Sequence, residues 1–298
     1  SIEIIVDDST FTIIDGQHRV NGFKLLPEKS KKEYELLCSV YIDLPNPYQA
    51  FLFATVNMNQ RKVDKSLAYE LYGYNLDEEK SNSWTPEKLG VFLTRKINFD
   101  KDSCFYQHII VAAENDQILF DVSPEKSSWY ISTATLVNGI LSLITTNSRR
   151  DRDKLHQYDV KKRHRRLLNS DSTPLRQHFI EGNDLLIYKI ILNFFNASHS
   201  LLYEKESYIF KTVGIQAQFR FLKTFLKEKL ETDKDISQEY FTNVLEKLKD
   251  IDFSDNFFTA SGIGASRIAN IMLISSGFKN IEDINNEKDK EEYERLLD

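Results

Sequence analysis

Between Thr133 and Ser275, apolar residues recur at helical spacing in five separate runs: Thr133 to Thr146, Asp184 to Ala197, Val213 to Glu231, Ser237 to Lys249 and Ala265 to Ser275. Spacings of three and four put these residues on one side of a helix. A helix with one apolar side must bury it against another element. The later part of the chain is therefore bound to pack helix on helix. Material for a core is ample: 41% of the 298 residues are hydrophobic, with 20 Phe and 14 Tyr, which rules out global disorder.

Local signals sharpen some helix ends. Thr85-Pro86-Glu87 combines a capping hydroxyl, a proline at the first turn and an acid near the positive end of the dipole. Asp235 and Gln238 have the spacing of a capping box. The charged tail from Asn285 reads as a surface helix or a frayed end. There is no internal repeat.

The first part of the chain reads differently. Ile2 to Val6, Phe11 to Ile14 and Leu37 to Ile42 have strand length and composition. Arg19 to Leu26, Pro47 to Asn57 and Asp64 to Tyr74 read as helices, in the order β-β-α-β-α-α. A polar stretch, Asn75 to Lys88, marks the boundary. The expected fold class is α+β, with a small α/β unit over residues 1–80 and a helical domain over 81–298.

Composition narrows the class further. A net charge of −6 argues against a protein that coats nucleic acid by bulk charge. Cys38 and Cys104 stand apart, far from metal-ligand spacing, and are expected to be buried thiols of an intracellular chain. No metal site is expected. No secretory signal is expected, and the best candidate for a membrane span, Leu185 to Ala197, is short of bilayer length and carries Lys189. A cytoplasmic protein with no membrane partner is expected.

The most distinctive string is Asp15-Gly16-Gln17-His18-Arg19. It falls where an apolar run ends and an amphipathic helix begins. The first amides of a helix lack internal partners and carry partial positive charge, so such a junction suits an anion. Gly16 lets the backbone approach a ligand. Arg19 offers a fork of donors for phosphate oxygens. His18 donates or accepts near neutral pH. Asp15 is better suited to capping the helix, to orienting a neighbouring donor or to helping hold a divalent cation than to meeting a phosphate. The plain alternative is an Asp-Gly turn with solvated His and Arg. A second polar cluster, Asn57, Asn59, Gln60, Arg61 and Lys62, sits between two expected helices, and the pair of clusters favours one shared site.

The DGQHR string, followed by a strand, a helix and the "VNMNQR" turn of Val56 to Arg61, resembles the DGQHR-domain family. That family includes DndB-like regulators of DNA phosphorothioation and relatives in DNA-modification and phage-defence systems. The domain is similar to the ParB/sulfiredoxin superfamily. The resemblance implies that Gly16, His18 and Arg19 occupy a first phosphate-binding box, and Asn57, Gln60 and Arg61 a second. Gln17 stands where sulfiredoxins carry their reactive cysteine, so sulfinic acid repair is excluded. Val56 replaces an acid of the second box, which weakens any expectation of a protein-held metal. Family members carry a further strand-helix segment ahead of the motif; only fourteen residues precede Asp15. That segment is expected to be either removed or lacking in this branch. The implied cofactor is a nucleoside triphosphate with Mg²⁺. Slow hydrolysis, with charge stabilisation by Arg19 and Arg61 and water held by His18, is compatible with these residues, although none stands out as a general base.

Arg149 to Arg166 holds nine Lys or Arg against three Asp, a net of +6 that leaves −12 on the rest of the chain. Arg149, Arg150, Arg152, Lys161, Lys162, Arg163, Arg165 and Arg166 are the expected contacts to a DNA phosphate backbone. Such contacts position a duplex without reading bases. A solvated charged face is the plain alternative.

Elsewhere, His108 lies in an apolar run and reads as a core histidine. Trp84 and Trp129 read equally as core or stacking residues. The Gly-rich "ASGIGASRIANIML" of Ala260 to Leu273 lacks the lysine of a P-loop and reads as a plain helix cap. The expected function is that of a DGQHR-domain protein binding nucleotide phosphates and DNA, alongside other proteins of a modification or defence system. The alternatives are a non-catalytic DNA-binding regulator and a scaffold in which the junction is structural.

Overall fold

A computed structural model describes residues 13–14, 16–25, 37–42, 44, 49, 65–72, 79–110, 129–204, 206–229 and 235–298. The chain forms two compact units, Ser1–Val63 and Asp64–Asp298. The boundary expected at 80/81 thus falls earlier, ahead of the helix that starts at Lys65.

In the first unit the described helix is α1, Gln17–Lys24. The expected strand at Leu37 to Ile42 is not one: these residues have no ladder partner among the described residues and no regular structure, and five of them are well exposed apolar or sulfur side chains, Leu37, Cys38, Val40, Tyr41 and Ile42. An apolar run of strand length becomes a strand only where a neighbour accepts its backbone groups. Cys38 is accordingly exposed, not buried as expected. The expected strand at Ile2 to Val6 lies outside the described residues.

The second unit is built of α2, Lys65–Tyr72, α3, Pro86–Phe99, α4, Thr133–Ile144, α5, Ser148–His156, α6, Arg176–Glu181, α7, Asp184–Leu202, α8, Thr212–Lys229, α9, Gln238–Leu245, α10, Gly262–Ser275, and α11, Glu287–Leu297. Between α3 and α4 lie two short parallel strands, β1, Ile109–Ile110, and β2, Ile131–Ser132, paired Ile109 to Ile131 and Ile110 to Ser132. The architecture is α+β in this coarse sense: a two-stranded sheet within a largely helical unit.

The helices pack as their apolar stripes require. The main helix pairs are α8 with α10, α7 with α9, α3 with α4, and α4 with α8. Two glycines set close crossings. A Cβ on Gly139 of α4 would lie 2.1 Å from Phe219 Cδ2 of α8, and one on Gly90 of α3 would lie 3.1 Å from Val137 Cγ1 of α4. Phe194, Phe195, Phe221, Phe241 and Phe258 fill the core between them.

Caps follow the local sequence in most places. Thr85 Oγ1 accepts from Lys88 N, with Pro86 and Glu87 in the first turn. Ser261 caps α10 by accepting from Gly264 N, and a Cβ on Gly264 would lie 1.8 Å from Thr259 O; the Gly-rich turn is a cap. The cap of α9 is Ser237, which accepts from Tyr240 N, and not Asp235, whose Oδ1 accepts from Ser237 N just ahead of the helix. The charged tail is the helix α11, anchored by the fully buried Tyr293. Among the described residues one helix, Asp184–Leu202, has the length and mean hydropathy (1.3) of a membrane span; half of that window is buried inside the unit.

Candidate functional site

The DGQHR junction belongs to the first unit. Gly16 is the residue before α1 and has φ 91, ψ 4, in the left-handed region. A residue with a Cβ is strained there, which accounts for glycine at this turn. Helical bonding starts at once, with Val20 N donating to Gly16 O at 3.1 Å. Gly16 supplies no side-chain cap, and the first turn of α1 holds no acid. The amides of Gln17, His18 and Arg19 therefore have no acceptor within the helix. Gln17 is exposed. For His18 and Arg19 only the backbone is described; Asp15, Asn57, Gln60 and Arg61 lie outside the described residues.

The basic run belongs to the second unit, and the fold divides it. Helix α5 starts where Asn147 Oδ1 accepts from Arg150 N at 3.0 Å. Arg149, Arg150, Lys161, Lys162 and Arg166 are exposed. Three of the expected phosphate contacts point inward instead. Arg165 is fully buried; its Nε donates to Trp84 O at 3.1 Å, its Nη1 to Asp184 Oδ1 at 2.5 Å, and its guanidinium lies 4.6 Å from the Phe179 ring centroid. It is out of reach of any DNA phosphate, and the expectation for it is corrected. Arg152 Nη1 donates to Glu87 Oε1 at 3.0 Å and Tyr72 Oη at 2.7 Å. Arg163 donates to Leu155 O and lies 3.6 Å from Glu79 Oε1. Arg152 holds α5 to α2 and α3, Arg163 holds the following segment to α5 and to Glu79 ahead of α3, and both are structural in the first place.

The electrostatics of this face follow from the pairs. Burial raises the Glu87 carboxyl above its ordinary value, against the opposing pull of its own backbone hydrogen bond and of Arg152. Partial burial, and then the charges of Arg163 and Arg152, hold the His156 imidazole below its ordinary value. Outside, Asn147, Arg149, Arg150, Asp153, Lys154 and Gln157 line an open groove of about 460 Å³ along α5. One of its cations is partly balanced, Arg149, which lies 3.8 Å from Asp153; Lys154 donates to the neutral Asn169 Oδ1.

Other expected positions resolve simply. His108 stacks on Trp129, with centroids 4.0 Å apart, and its Nδ1 lies 3.0 Å from Trp129 O. Trp84 is a core residue. Trp129 is half-buried in a cluster of aromatic rings. Among the described residues no group of three or more His, Cys, Asp or Glu is placed to hold a metal ion. The acids that decide the fate of the basic run, Glu79, Glu87 and Asp184, carried no local signal, because each meets its arginine across a long sequence gap. The chain matches no family model, no curated protein and no solved structure.

Proposed function

We propose that the chain is a DGQHR-domain protein of a DNA-modification or phage-defence system, with a ParB/sulfiredoxin-like first unit that binds nucleotide phosphates at the DGQHR junction. The observation that carries this reading is the left-handed Gly16, which gives no side-chain cap, ahead of a helix with no acid in its first turn. Amides with no acceptor within the helix and a glycine backbone fit a phosphate group, which accepts hydrogen bonds and is drawn to the positive end of the helix. The residues that would hold the phosphates are Gly16, Gln17, His18 and Arg19, joined by Asn57, Gln60 and Arg61 of the second box. Magnesium would arrive with the phosphates and neutralise their charge. The proposal is for binding; it assigns no hydrolytic step.

A second reading, a non-catalytic DNA-binding regulator, draws on a separate observation: the exposed cations Arg149 and Arg150 line one groove with Lys154. Here α5 would lie against a phosphate backbone, with Lys161, Lys162 and Arg166 as further contacts. Other proteins of such a system are the expected partners.

A thermal-shift screen of ATP, CTP, GTP and the deoxynucleotides with Mg²⁺, on wild type and Arg19→Ala, tests the first reading. At 100 times Kd a ligand stabilises by about 2.7 kcal/mol. A shift for one nucleotide that vanishes in Arg19→Ala is expected. Absence of any shift removes the nucleotide from the proposal and leaves DNA contact.

A further inference from the structure

Away from the basic run, a pocket of about 260 Å³ opens beside the start of α8. Trp129, Tyr130, Tyr203 and Phe210 form its walls, with Glu204 and Lys211 among its polar residues. Two of the rings are backed by histidines. His108 stacks on Trp129 at 4.0 Å and 21°, and His199 stacks on Tyr203 at 4.6 Å and 14°. Phe210, 2% exposed, sets its edge against both, at 5.2 Å from Trp129 and 5.7 Å from Tyr203. The segment that carries Phe210 is pinned. Tyr208 N donates to Phe253 O at 2.9 Å, the buried Gln218 side chain donates to Ile209 O at 2.7 Å, and a Cβ on Gly214 would lie 2.2 Å from the Tyr208 and Ile209 carbonyls. Rings held this way lose little freedom when a ligand arrives.

We infer that this pocket binds one unpaired nucleotide unit, its base against Trp129 and Tyr203 and its phosphate at Lys211 and the start of α8. Aromatic walls favour a flat ring, and the volume is slightly below that of a typical drug-sized site, enough for one ring system and too small for a base pair. The charged groups choose among flat ligands. Glu204 is exposed, and its carboxylate oxygens only accept; they suit a base that donates, through the exocyclic amine of adenine or cytosine or through N1–H and N2 of guanine, and offer nothing to thymine O4. Lys211 is exposed, with its Nζ over the Tyr208 ring at 4.5 Å and donating to Glu206 O at 3.3 Å. Thr212, the first residue of α8, also lines the pocket, and the first turn of α8 has no acid. Lys211 and this positive end favour a flat ring that carries an anion over a quaternary ammonium, the other common guest of aromatic walls, which Glu204 alone would attract.

The pocket belongs to the second unit and the DGQHR junction to the first, and binding in the pocket does not require the junction. The source of the unit, a free nucleotide or a single strand, is separated by experiment. The chain has two tryptophans; Trp84 is buried, so Trp129 reports stacking in the pocket. Fluorescence is titrated with AMP, with adenosine and with a short single-stranded deoxyadenylate, on wild type, Tyr203→Ala, Lys211→Ala and Arg19→Ala. Saturable quenching is expected with AMP, the single strand or both; the ligand that quenches names the source. Tyr203→Ala weakens it about tenfold or more. Lys211→Ala, an exposed change that leaves the fold intact, weakens the phosphate-bearing ligands and not adenosine. Arg19→Ala binds as wild type does. No saturable quenching, quenching unchanged in both pocket variants, or quenching lost in Arg19→Ala overturns the inference.

Discussion

Arg176 and Asp151 form a two-pronged ion pair inside the second unit. Arg176 Nη1 donates to Asp151 Oδ2 at 2.5 Å and Nη2 to Oδ1 at 3.0 Å, with 2% and 4% of the two side chains exposed. Asp151 Oδ2 also accepts from Thr145 Oγ1 at 2.6 Å, and Arg176 donates further to Asn169 O and Ile144 O. The pair ties α5, which carries the exposed arginines, to α6 and to the end of α4. A member of the basic run thus anchors it.

Removing Asp151 leaves the buried Arg176 without its two-pronged partner, with only the longer contact to Asp171, 3.7 Å from its Nε, as a balance. Asp151→Ala is expected to destabilise the unit by about 3–5 kcal/mol. Replacing both members by apolar residues of similar volume, Asp151→Leu with Arg176→Met, is expected to cost less, since the one acid left beside the site, Asp171, keeps its hydrogen bonds from Thr146 and Thr173. Urea denaturation of the three proteins checks both statements; a double variant as unstable as the single one contradicts them.

The exposed and buried arginines of the run are expected to separate cleanly. Arg149→Gln with Arg150→Gln leaves the melting temperature unchanged. If α5 lies on DNA, the same change lowers the slope of log affinity against log salt by about 0.9 for each phosphate that is no longer neutralised. Arg165→Met destabilises by about 3 kcal/mol, because Asp184 is left without its partner. The pairing of a salt titration with a melt tells the two classes apart. An Arg165→Met protein with native stability would falsify the assignment of Arg165 to the interior.

What was legible from sequence follows the range of the interaction. The Thr85 cap and the runs that became α4, α7 and α8 depend on residues a turn or two apart, and local spacing carried them. The start of α1 at Gly16 was legible for the same reason. Arg165 was not: within a row of cations nothing marks the one whose Nε meets Trp84 O, 81 residues earlier, and whose Nη1 meets Asp184, 19 residues later. The strand expected at Leu37 to Ile42 depended on a neighbour the sequence does not name, and β1 and β2 are two-residue strands, too short for any periodicity. The Trp129 and Tyr203 pocket joins rings from β2's approach and from the end of α7, again a long-range arrangement.

Two carboxylates are expected to bend the stability–pH curve in opposite directions. Burial alone would raise Asp171, but hydrogen bonds from Thr173 and Thr146 and the charge of Arg176 outweigh it, so its folded value lies below the ordinary 3.8. Its contribution is present above the unfolded value and is lost as pH falls through the folded one. Glu87 lies above its ordinary 4.5, so its protonated form favours the fold, and stability is lost as pH rises from 4.5 through the folded value. Urea midpoints measured from about pH 2 to 8 should therefore fall less steeply in acid for Asp171→Asn than for wild type. For Glu87→Gln they should hold steadier above pH 4.5. Curves parallel to wild type in both variants would remove these two groups as the cause.

Gly139 fixes how closely α4 approaches α8. An added Cβ would sit 2.1 Å from Phe219 Cδ2 and 2.2 Å from Cε2, and the Phe219 ring, 2% exposed, has Phe195 against it at 4.9 Å. The ring is buried against Phe195 and three of its carbons lie within 2.6 Å of the added Cβ, so the ring or the helices must shift. Gly139→Ala raises helix propensity by about 1 kcal/mol, yet overpacking of a filled core costs about 1–3 kcal/mol. The net expectation is a loss of stability, despite the better helix former. Phe219→Leu in the Gly139→Ala background gives the methyl room and is expected to recover part of the loss, although Phe219→Leu alone destabilises. A thermal melt of the four proteins decides it. If Gly139→Ala melts at or above the wild-type temperature, the close crossing of α4 and α8 is not what holds this pair of helices together.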